Sequence, residues 1–374
     1  MTLRKSLIAI ATVLSLPTSA ATVYETNDVS LDIFGRIDVK ACNDAAAAYD
    51  TPSNVQGSDN TILNSARFGL SGRSKINDNL YAIALAEWDL ASGDSYDGMK
   101  ARHQFIGIDA QNYGTLTFGR GDNAFYTVQG TTDIFHTLDL EVGDYYLTGD
   151  QNSGLVMYSL SSLGWDVRAS LGSAKSKVND TPINYKYQLA LGVATRLSSD
   201  ISISYGIAYY KLSYEGDVAS QIEYFGHKMK NMYSLLENET FSFANANRPE
   251  HKVDKGVSIA YGTLGNGLYL ATNFTWTRYQ HFSHHLYSYE AVADYAFENG
   301  LSLGLGYGAK TFHHTQIISD LNLSMRYKFN ESFKIFCEGQ FDLGAHPDVY
   351  YTKDEIIDKT LGENKVVLGA EYLF

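Results

Sequence analysis

Apolar and polar residues alternate with a period of two along many segments of the chain. From residue 201 to 209 one set of alternate positions is apolar and the other is small or polar: Ile201, Ile203, Tyr205, Ile207 and Tyr209 against Ser202, Ser204, Gly206 and Ala208. The same alternation recurs at 301–308, 320–329 and 366–374. Because successive side chains of a strand point to opposite faces, the pattern predicts an all-β fold whose strands have one apolar face.

The connections between these segments alternate between short and long. Seven short ones are rich in Gly, Asn, Asp and Ser, which suit tight turns: residues 75–79, 111–114, 162–164, 198–200, 264–267, 298–300 and 330–332. Eight longer ones centre near residues 43–62, 92–99, 122–152, 175–184, 215–251, 281–284, 313–316 and 345–363. Together they join about sixteen strands, and an even count with long loops at one rim is typical of bacterial outer-membrane barrels. The sequence therefore predicts a transmembrane antiparallel β-barrel.

A soluble β-sandwich is the structural alternative, since its strands also alternate apolar and polar residues. A sandwich buries its apolar face against a second sheet and does not require strands of uniform, bilayer-spanning length. It also leaves the even strand count unexplained, so the barrel is favoured.

The N-terminal residues have the features of a secretory signal peptide. Arg4 and Lys5 precede an apolar run that ends at residue 16, and small residues follow Pro17 up to Ala20. We expect a signal peptide at 1–20 and a single β-barrel domain at 21–374. Export, together with a final strand that ends on Phe374, predicts the outer membrane of a Gram-negative bacterium, with membrane lipid and lipopolysaccharide as surroundings.

The charge balance excludes one class of partner. Without Arg4 and Lys5 the chain has 27 basic and 42 acidic side chains, a net charge of −15, which argues against nucleic acid. Outside the signal there is no apolar run of about 18 residues, so no transmembrane helix is expected. Cys42 and Cys337 fall on opposite faces of different strands, and no disulfide is predicted.

Two segments resemble the early strands of the general diffusion porins of Gram-negative outer membranes. They are residues 66–90 (ARFGLSGRSKINDNLYAIALAEWDL) and 101–120 (ARHQFIGIDAQNYGTLTFGR), and residues 21–38 are similar as well. The resemblance covers about the first 130 residues; beyond them the architecture and the terminal Phe agree. It implies a sixteen-stranded barrel, a homotrimer, and a third loop that folds inward and narrows the channel.

A basic wall is expected on the inner face of the early strands. Arg36, Arg67 and Arg102, with Lys40, have inward parity, and a charge that faced lipid would cost about 2–4 kcal/mol near the midplane. The resemblance implies that Arg36, Arg67 and Arg102 form the basic side of the constriction. It also places Glu87 opposite them, either as a member of an ion-pair network or as a direct contact for solutes.

The acidic side is expected from the third loop, residues 122–152. By the resemblance, Asp133 corresponds to an acid of the family's inward-folded segment and Tyr126 to a pore-lining Tyr. Two departures stand out: Thr137 occupies the place of a second loop acid, and Gln151 that of a further Arg. Asp139 and Glu141 are the residues available to replace the missing acid.

These features predict a passive channel for small hydrophilic solutes and ions, without cofactor or catalytic residue. The net charge and the acids of the third loop predict mild cation selectivity. Small residues at outward parity, Ala82, Ala84 and Ala86, predict the subunit contact of the trimer. The resemblance implies that the second loop latches a neighbouring subunit, and Arg120 is the candidate partner for that loop.

Other functions remain open at this stage. A channel selective for oligosaccharides requires an aromatic track, for which Tyr81, Tyr126, Tyr210 and Tyr279 are scattered inward candidates. An outer-membrane enzyme requires a Ser/His or Asp/His set at one rim, and a receptor role of the long loops is compatible with transport.

Five loop histidines are the remaining chemical signal. His281, His284 and His285 lie in one loop and His313 and His314 in the next, and an H-x-x-H-H spacing can bind Zn or Cu. Loop histidines are usually solvated side chains, and no metal site is assigned to them from the sequence.

Overall fold

The computed structural model describes residues 20–43, 61–90, 99–140, 142–144, 149–173, 176–177, 183–214, 219, 223–228, 248–282, 284–358 and 360–374. Residues 1–19 of the expected signal peptide, residues 91–98 of the second loop and Glu141 of the third loop lie outside this part of the chain.

Sixteen antiparallel strands form one closed sheet. They are β1 (Val29–Cys42), β2 (Thr61–Asn77), β3 (Leu80–Leu90), β4 (Met99–Asp109), β5 (Thr115–Gly121), β6 (Asn152–Ser162), β7 (Trp165–Gly172), β8 (Ile183–Arg196), β9 (Ile201–Tyr214), β10 (His251–Thr263), β11 (Asn266–Tyr279), β12 (Leu286–Ala296), β13 (Leu301–Phe312), β14 (Thr315–Lys328), β15 (Phe333–Asp342) and β16 (Lys365–Leu373). Each strand pairs with the next, and β16 pairs with β1. Two short strands, Ala21–Glu25 beside β1 and Ser176–Lys177 beside β8, extend the sheet. The predicted sixteen-stranded barrel is confirmed.

The period-two pattern places apolar side chains on the outer face of the barrel. On β9, Ile207 is 45% exposed, whereas its neighbour Ala208 is 1% exposed inside. Small and polar residues face inward, where the polar ones meet water or polar groups, while an apolar outer band suits contact with lipid. Among the described residues, no helix is long and apolar enough to cross a membrane.

Short turns lie where the sequence predicts them, but one connection differs. Residues 313–316, expected as a longer loop, form a two-residue turn, because Phe312 pairs directly with Thr315. His313 and His314 occupy it with φ of 45° and 67°. Left-handed φ at both central positions is the geometry of a type I′ hairpin turn, which Asn-Gly usually supplies. Because histidine is not a typical residue of this turn, the sequence did not predict it here.

The last residue completes the ring of strands. The N–H of Gly35 donates to the carbonyl of Phe374 at 2.8 Å, and the N–H of Phe374 donates back to Gly35 at 3.0 Å. A Cβ on Gly35 would lie 2.6 Å from ring carbon Cζ of Phe374. The absence of a side chain at Gly35 thus leaves room for the aromatic ring of Phe374.

The two cysteines occupy opposite faces of the sheet. Cys42 is buried and pairs in register with Val367, whereas Cys337 pairs with Met325 and Leu368, which are exposed outside. Neither forms a disulfide.

Candidate channel constriction

The third loop enters the barrel directly after β5. The side-chain amide of Asn123 donates to Gln188 Oε1 at 2.6 Å and to the Tyr210 hydroxyl at 2.9 Å. The N–H of Ala124 donates to Ser170 Oγ on β7 at 3.0 Å, and a one-turn helix, Tyr126–Gln129, follows. Because these partners lie on the inner faces of β7, β8 and β9, the loop rests against the lumen wall.

Inward glycines make room for this loop. A Cβ on Gly192 of β8 would lie 2.1 Å from the carbonyl oxygen of Ala124, and one on Gly206 of β9 would lie 2.9 Å from Phe125 Cδ2. On β13, a Cβ on Gly306 would lie 2.7 Å from the ring of Phe135. Atoms of the loop occupy the space that side chains at these positions would take. The loop therefore packs against strands that have glycine on their inner face.

Glu338 of β15 anchors the middle of the loop. Its carboxylate accepts three consecutive backbone N–H groups, from His136 at 2.6 Å, Thr137 at 2.8 Å and Leu138 at 3.0 Å. Glu338 is fully buried. Hydrogen bonds to an ionised acceptor are stronger than neutral ones, so this carboxylate determines the position of the segment.

Glu290 of β12 provides a second anchor. Its carboxylate accepts the N–H of Val142 at 3.1 Å, the side-chain amide of Asn273 at 2.8 Å and the hydroxyl of Thr132. Two separate stretches of the loop are thereby held by one strand.

Asp144 anchors the returning end of the loop. Its carboxylate lies 2.6 Å from Lys310 Nζ and 3.4 Å from Lys252 Nζ, and it accepts the Tyr279 hydroxyl at 2.7 Å. Burial alone would raise the pKa of Asp144, but the charges of Lys310 and Lys252 outweigh it and hold this pKa well below its usual range. A buried, ionised Asp144 therefore links the loop to β10, β11 and β13.

His136 links the loop to the strands that close the barrel. Its Nε2 lies 3.3 Å from both Asp38 Oδ1 and Glu371 Oε2, and Lys334 Nζ lies 3.4 Å from its Nδ1. Burial, with the nearby charges of Lys334 and Arg36, lowers the pKa of His136 although Asp38 opposes this. A neutral imidazole that donates from Nε2 and accepts at Nδ1 satisfies all these contacts.

The same residues include a set that resembles a metal centre. The ligand atoms of Asp38, His136 and Glu371 all lie within 4.8 Å of one another. Arg36 Nε lies 3.2 Å from Asp38, and Lys334 Nζ lies 2.7 Å from Glu371. Because these cations already neutralise the carboxylates, we interpret the set as an ion-pair network that holds the loop.

A cavity of ≈ 360 Å³ lies between the loop and the wall formed by β1–β7. Its ionisable lining residues are Arg36, Arg67, Glu87, Arg102, His103, Arg120, Asp122, Tyr126 and Arg168. The structure thus brings together the predicted residues Arg36, Arg67, Arg102, Glu87 and Tyr126 around one opening.

Carboxylates of β3 bridge the basic residues of this wall. Asp89 Oδ1 lies 2.9 Å from Arg67 Nε, and Asp89 Oδ2 lies 3.0 Å from Arg102 NH1. Glu87 lies 3.4 Å from Arg102 Nε and 2.8 Å from His103 Nδ1. Of the two roles open to Glu87, membership of an ion-pair network is the one these contacts support.

Three residues of the wall were not predicted: Asp89, His103 and Arg168. Asp89 shares the parity of Glu87, and Arg168 lies inward on β7. The alternation of side chains along each strand could therefore have predicted both residues. His103 follows Arg102, and strict alternation would send one of the two outward. A β-bulge between Ala86 and Trp88 shifts the register of β4, and both residues line the cavity.

The predicted loop acids Asp133 and Asp139 are not among the residues that line the cavity. Asp133 is exposed and accepts the Tyr126 hydroxyl at 2.5 Å. Asp139 is half-buried beside Asp133, and its carbonyl accepts the Gln340 amide at 3.4 Å. The N–H of Gln151 donates to Asp122 Oδ1 at 2.9 Å. The role of Asp133 and Asp139 as the acidic side of the constriction stays a prediction, and Glu141 lies outside the described residues.

Arg120 is bound within its own chain. Its Nε donates to the carbonyl of Ala101 at 2.8 Å, and its NH1 donates to Ser153 Oγ at 2.9 Å. A contact with a neighbouring subunit's second loop stays a prediction, because residues 91–98 lie outside the described chain.

The aromatic track needed for sugar recognition does not form from the four candidate tyrosines. Tyr210 and Tyr279 are buried under the third loop, and Tyr81 lies under Arg73, 3.9 Å from ring centre to guanidinium carbon. Of these four described residues, Tyr126 alone lines the cavity.

Known proteins with similar sequences are outer-membrane porins. The family model described as Gram-negative porin matches residues 6–333. Outer membrane porin PhoE of Klebsiella pneumoniae is 26% identical over 99% of this chain and 98% of its own length. Porin-like protein L of Photobacterium profundum is 26% identical over 42% of this chain and 46% of its own.

Solved structures share the fold. OmpF of Salmonella typhi, in complex with daunomycin, has a TM-score of 0.71 and 16% identity over 95% of this chain and 100% of that one. OmpT of Vibrio cholerae, in its trimer form, has a TM-score of 0.59 and 15% identity over 93% of this chain and 100% of that one.

Proposed function

Since the chain belongs to the Gram-negative porin family, a family of outer-membrane channels, we propose that it conducts small hydrophilic solutes and ions by passive diffusion. The observation that carries this proposal is the open cavity between the third loop and the charged wall of β1–β7. A water-filled passage bordered by paired charges admits polar solutes, whereas apolar ones lose hydration there without compensation. Size and charge are filtered, and no covalent chemistry is required.

We propose that charge selectivity is mild and favours cations. Four basic groups of the wall contact carboxylates: Arg36 contacts Asp38 and Glu371, Arg67 contacts Asp89, Arg102 contacts Asp89 and Glu87, and His103 contacts Glu87 and Asp122. Because opposite charges at such distances largely cancel, the remaining field is weak. Its sign then follows the exposed Asp133 and the net charge of −15 that the chain carries without Arg4 and Lys5.

Bilayer recordings with the purified mature protein test both statements. We expect ohmic single-channel currents, a modest cation-selective reversal potential in a dilute potassium chloride gradient, and liposome swelling rates that fall with sugar size. Saturable uptake of one sugar class would replace this proposal with the substrate-selective channel. An anion-selective reversal potential would overturn the proposed sign.

We further propose a homotrimer with its contact on β3. Ala82, Ala84 and Ala86 lie on the outer face, and Ala84 pairs in register with Ile106 of β4, which is 67% exposed. Small side chains beside projecting aliphatic ones allow two barrels to approach closely, where lipid would fit less well. The trimer form of OmpT, which shares the fold, is consistent with this assembly.

The surroundings of the trimer follow from its location in the outer membrane. We propose that residues 1–20 direct export and are removed after Ala20, and that lipid and lipopolysaccharide contact the remaining outer faces. N-terminal sequencing of protein extracted from outer membranes should begin at Ala21; any other start would move the cleavage site.

A further inference from the structure

Part of the fifth loop packs into the mouth of the barrel at the end that carries the long loops. This loop connects β9 to β10, and its residues 223–228 are helical. Phe225 is buried, and its ring centre lies 5.6 Å from that of Tyr214 on β9 and 6.4 Å from that of Phe282 in the sixth loop. The segment 223–228 is therefore packed against the inner side of the barrel.

The eighth loop, between β15 and β16, covers the adjoining part of the mouth. Its Tyr350 and Tyr351 are buried, and the ring centre of Tyr350 lies 4.9 Å from that of Phe312 at the end of β13. These residues and Phe225 belong to one apolar cluster with inward side chains of the wall, among them Tyr210, Leu212, Tyr279, Leu286 and Ile317. Apolar side chains thus fill the mouth above β9–β14, whereas the cavity lies along β1–β7.

An ion pair joins the two loops. Lys228 is buried, and its Nζ lies 3.2 Å from Glu355 Oε1 in the eighth loop and 4.0 Å from the centre of the Tyr350 ring. The hydroxyl of Tyr224 donates to the same Glu355 oxygen at 2.7 Å. One carboxylate oxygen of the eighth loop therefore contacts two side chains of the segment 223–228.

The other oxygen of Glu355 fixes the position of this carboxylate. Glu355 Oε2 accepts the N–H of Thr352 at 2.8 Å, and the N–H of Glu355 donates back to Thr352 Oγ1 at 3.3 Å. This reciprocal pair is a capping box, and it begins a short helix, Lys353–Asp358. Burial alone would raise the pKa of Glu355, but the charge of Lys228 and the N–H of Thr352 lower it, so the carboxylate is ionised.

We propose that Lys228, through its ion pair with Glu355, holds residues 223–228 as a cap over this part of the mouth and thereby sets the upper size limit for solutes. The proposal rests on the channel function proposed above, and it assigns the size limit to the cap as well as to the third loop. Solutes enter beside the cap, toward the cavity along β1–β7. Because a buried charge that loses its partner is strongly destabilising, loss of the pair should release the cap and widen the entrance.

Liposome swelling with sugars of increasing size, and single-channel conductance in 1 M potassium chloride, test the cap. At this salt concentration the Debye length is about 3 Å, so a change in conductance reports the width of the entrance rather than its charge. Lys228→Met keeps the aliphatic stem and removes the charge. We expect larger sugars to enter about twofold faster or more, with a higher conductance, because the entrance is wider. Lys228→Arg keeps a cation that also stacks on aromatic rings, and it should resemble the wild type.

Lys353→Met is the matched control, because it makes the same change of charge at an exposed position of the eighth-loop helix. It should have the size limit and the conductance of the wild type. Glu355→Gln, which retains a residue suited to the capping box, should resemble K228M, and the double variant K228M/E355Q should show no further increase.

Wild-type size limits in both K228M and E355Q would overturn the proposal, as would equal widening in K353M or in K228R. Heat-modifiable trimers in every variant show that the barrel is folded. A wild-type protein that does not conduct would contradict the proposed channel function instead, so the two failures are distinguishable.

Discussion

The carboxylate of Glu338 on β15 accepts the backbone N–H of Thr137 at 2.8 Å, and with this contact the barrel wall holds the third loop across the lumen. The anchor is a side chain of a strand, whereas the groups it binds are backbone groups of the loop. The position of the loop therefore depends more on Glu338 than on the side chain of Thr137.

Replacing Glu338 by Ala should release the centre of the loop. Three consecutive backbone N–H groups would lose a charged acceptor, and hydrogen bonds to charged groups contribute about 1.5–3 kcal/mol each. We expect greater open-channel current noise and a broader size limit in liposome swelling. Glu338→Gln retains one carbonyl acceptor and should show a smaller change. Glu331→Ala, which alters an exposed acid of the adjoining turn, is the control and should resemble the wild type. Open-channel current noise in E338A equal to that of the wild type would show that other contacts hold the loop.

Arg67 and Arg102 should set the electrostatics of the narrow region. Either residue changed to Ala leaves Asp89 with one cation fewer, so the preference for cations should rise by about twofold or more at 0.1 M salt, where the Debye length is about 10 Å. Reversal potentials in a potassium chloride gradient measure the change. Arg73→Ala, which removes an inward Arg paired with Asp109, is the control. Identical potentials in R67A, R102A and the wild type would place the selective region elsewhere.

His136 should make loop docking dependent on pH. Its lowered pKa means that the docked state binds fewer protons than the released state as pH falls below about 6.5, so docking weakens with acidification and is constant above that pH. Current noise should therefore increase between pH 7 and pH 5 in the wild type. His136→Gln keeps a donor but does not titrate, and its noise should change less over this range. If current noise changes equally with pH in the wild type and in H136Q, Asp38 or Glu371, and not His136, causes the pH dependence.

Ala84→Trp should weaken the trimer, because a large ring cannot fit where two barrels approach through small residues. Native electrophoresis after gentle extraction should then show monomers with an intact, heat-modifiable barrel. Leu303→Trp on the outer face of β13, a position 44% exposed, should remain trimeric. A trimeric A84W would refute the proposed contact.

The sequence by itself determined which residues face lipid and which face the lumen. Side-chain direction in a strand alternates with every residue, so Arg36, Arg67 and Glu87 could be assigned to the inner wall without any tertiary information. Turn residues likewise determined most of the strand boundaries, because Gly, Asn and Asp favour the backbone angles of tight turns.

Tertiary structure decided what depends on contacts between distant parts of the chain. The register of the third loop follows from Glu338 and from the space above Gly206, which lie more than 70 residues from the loop residues that they contact. Patterns between neighbouring residues cannot predict contacts over such separations. A single β-bulge lets both Arg102 and His103 face the lumen, where strict alternation would have sent one of them outward. His284 and His313 are in contact because β12 and β13 pair in register, and that pairing is set by hydrogen bonds along the strands and not by the loops themselves.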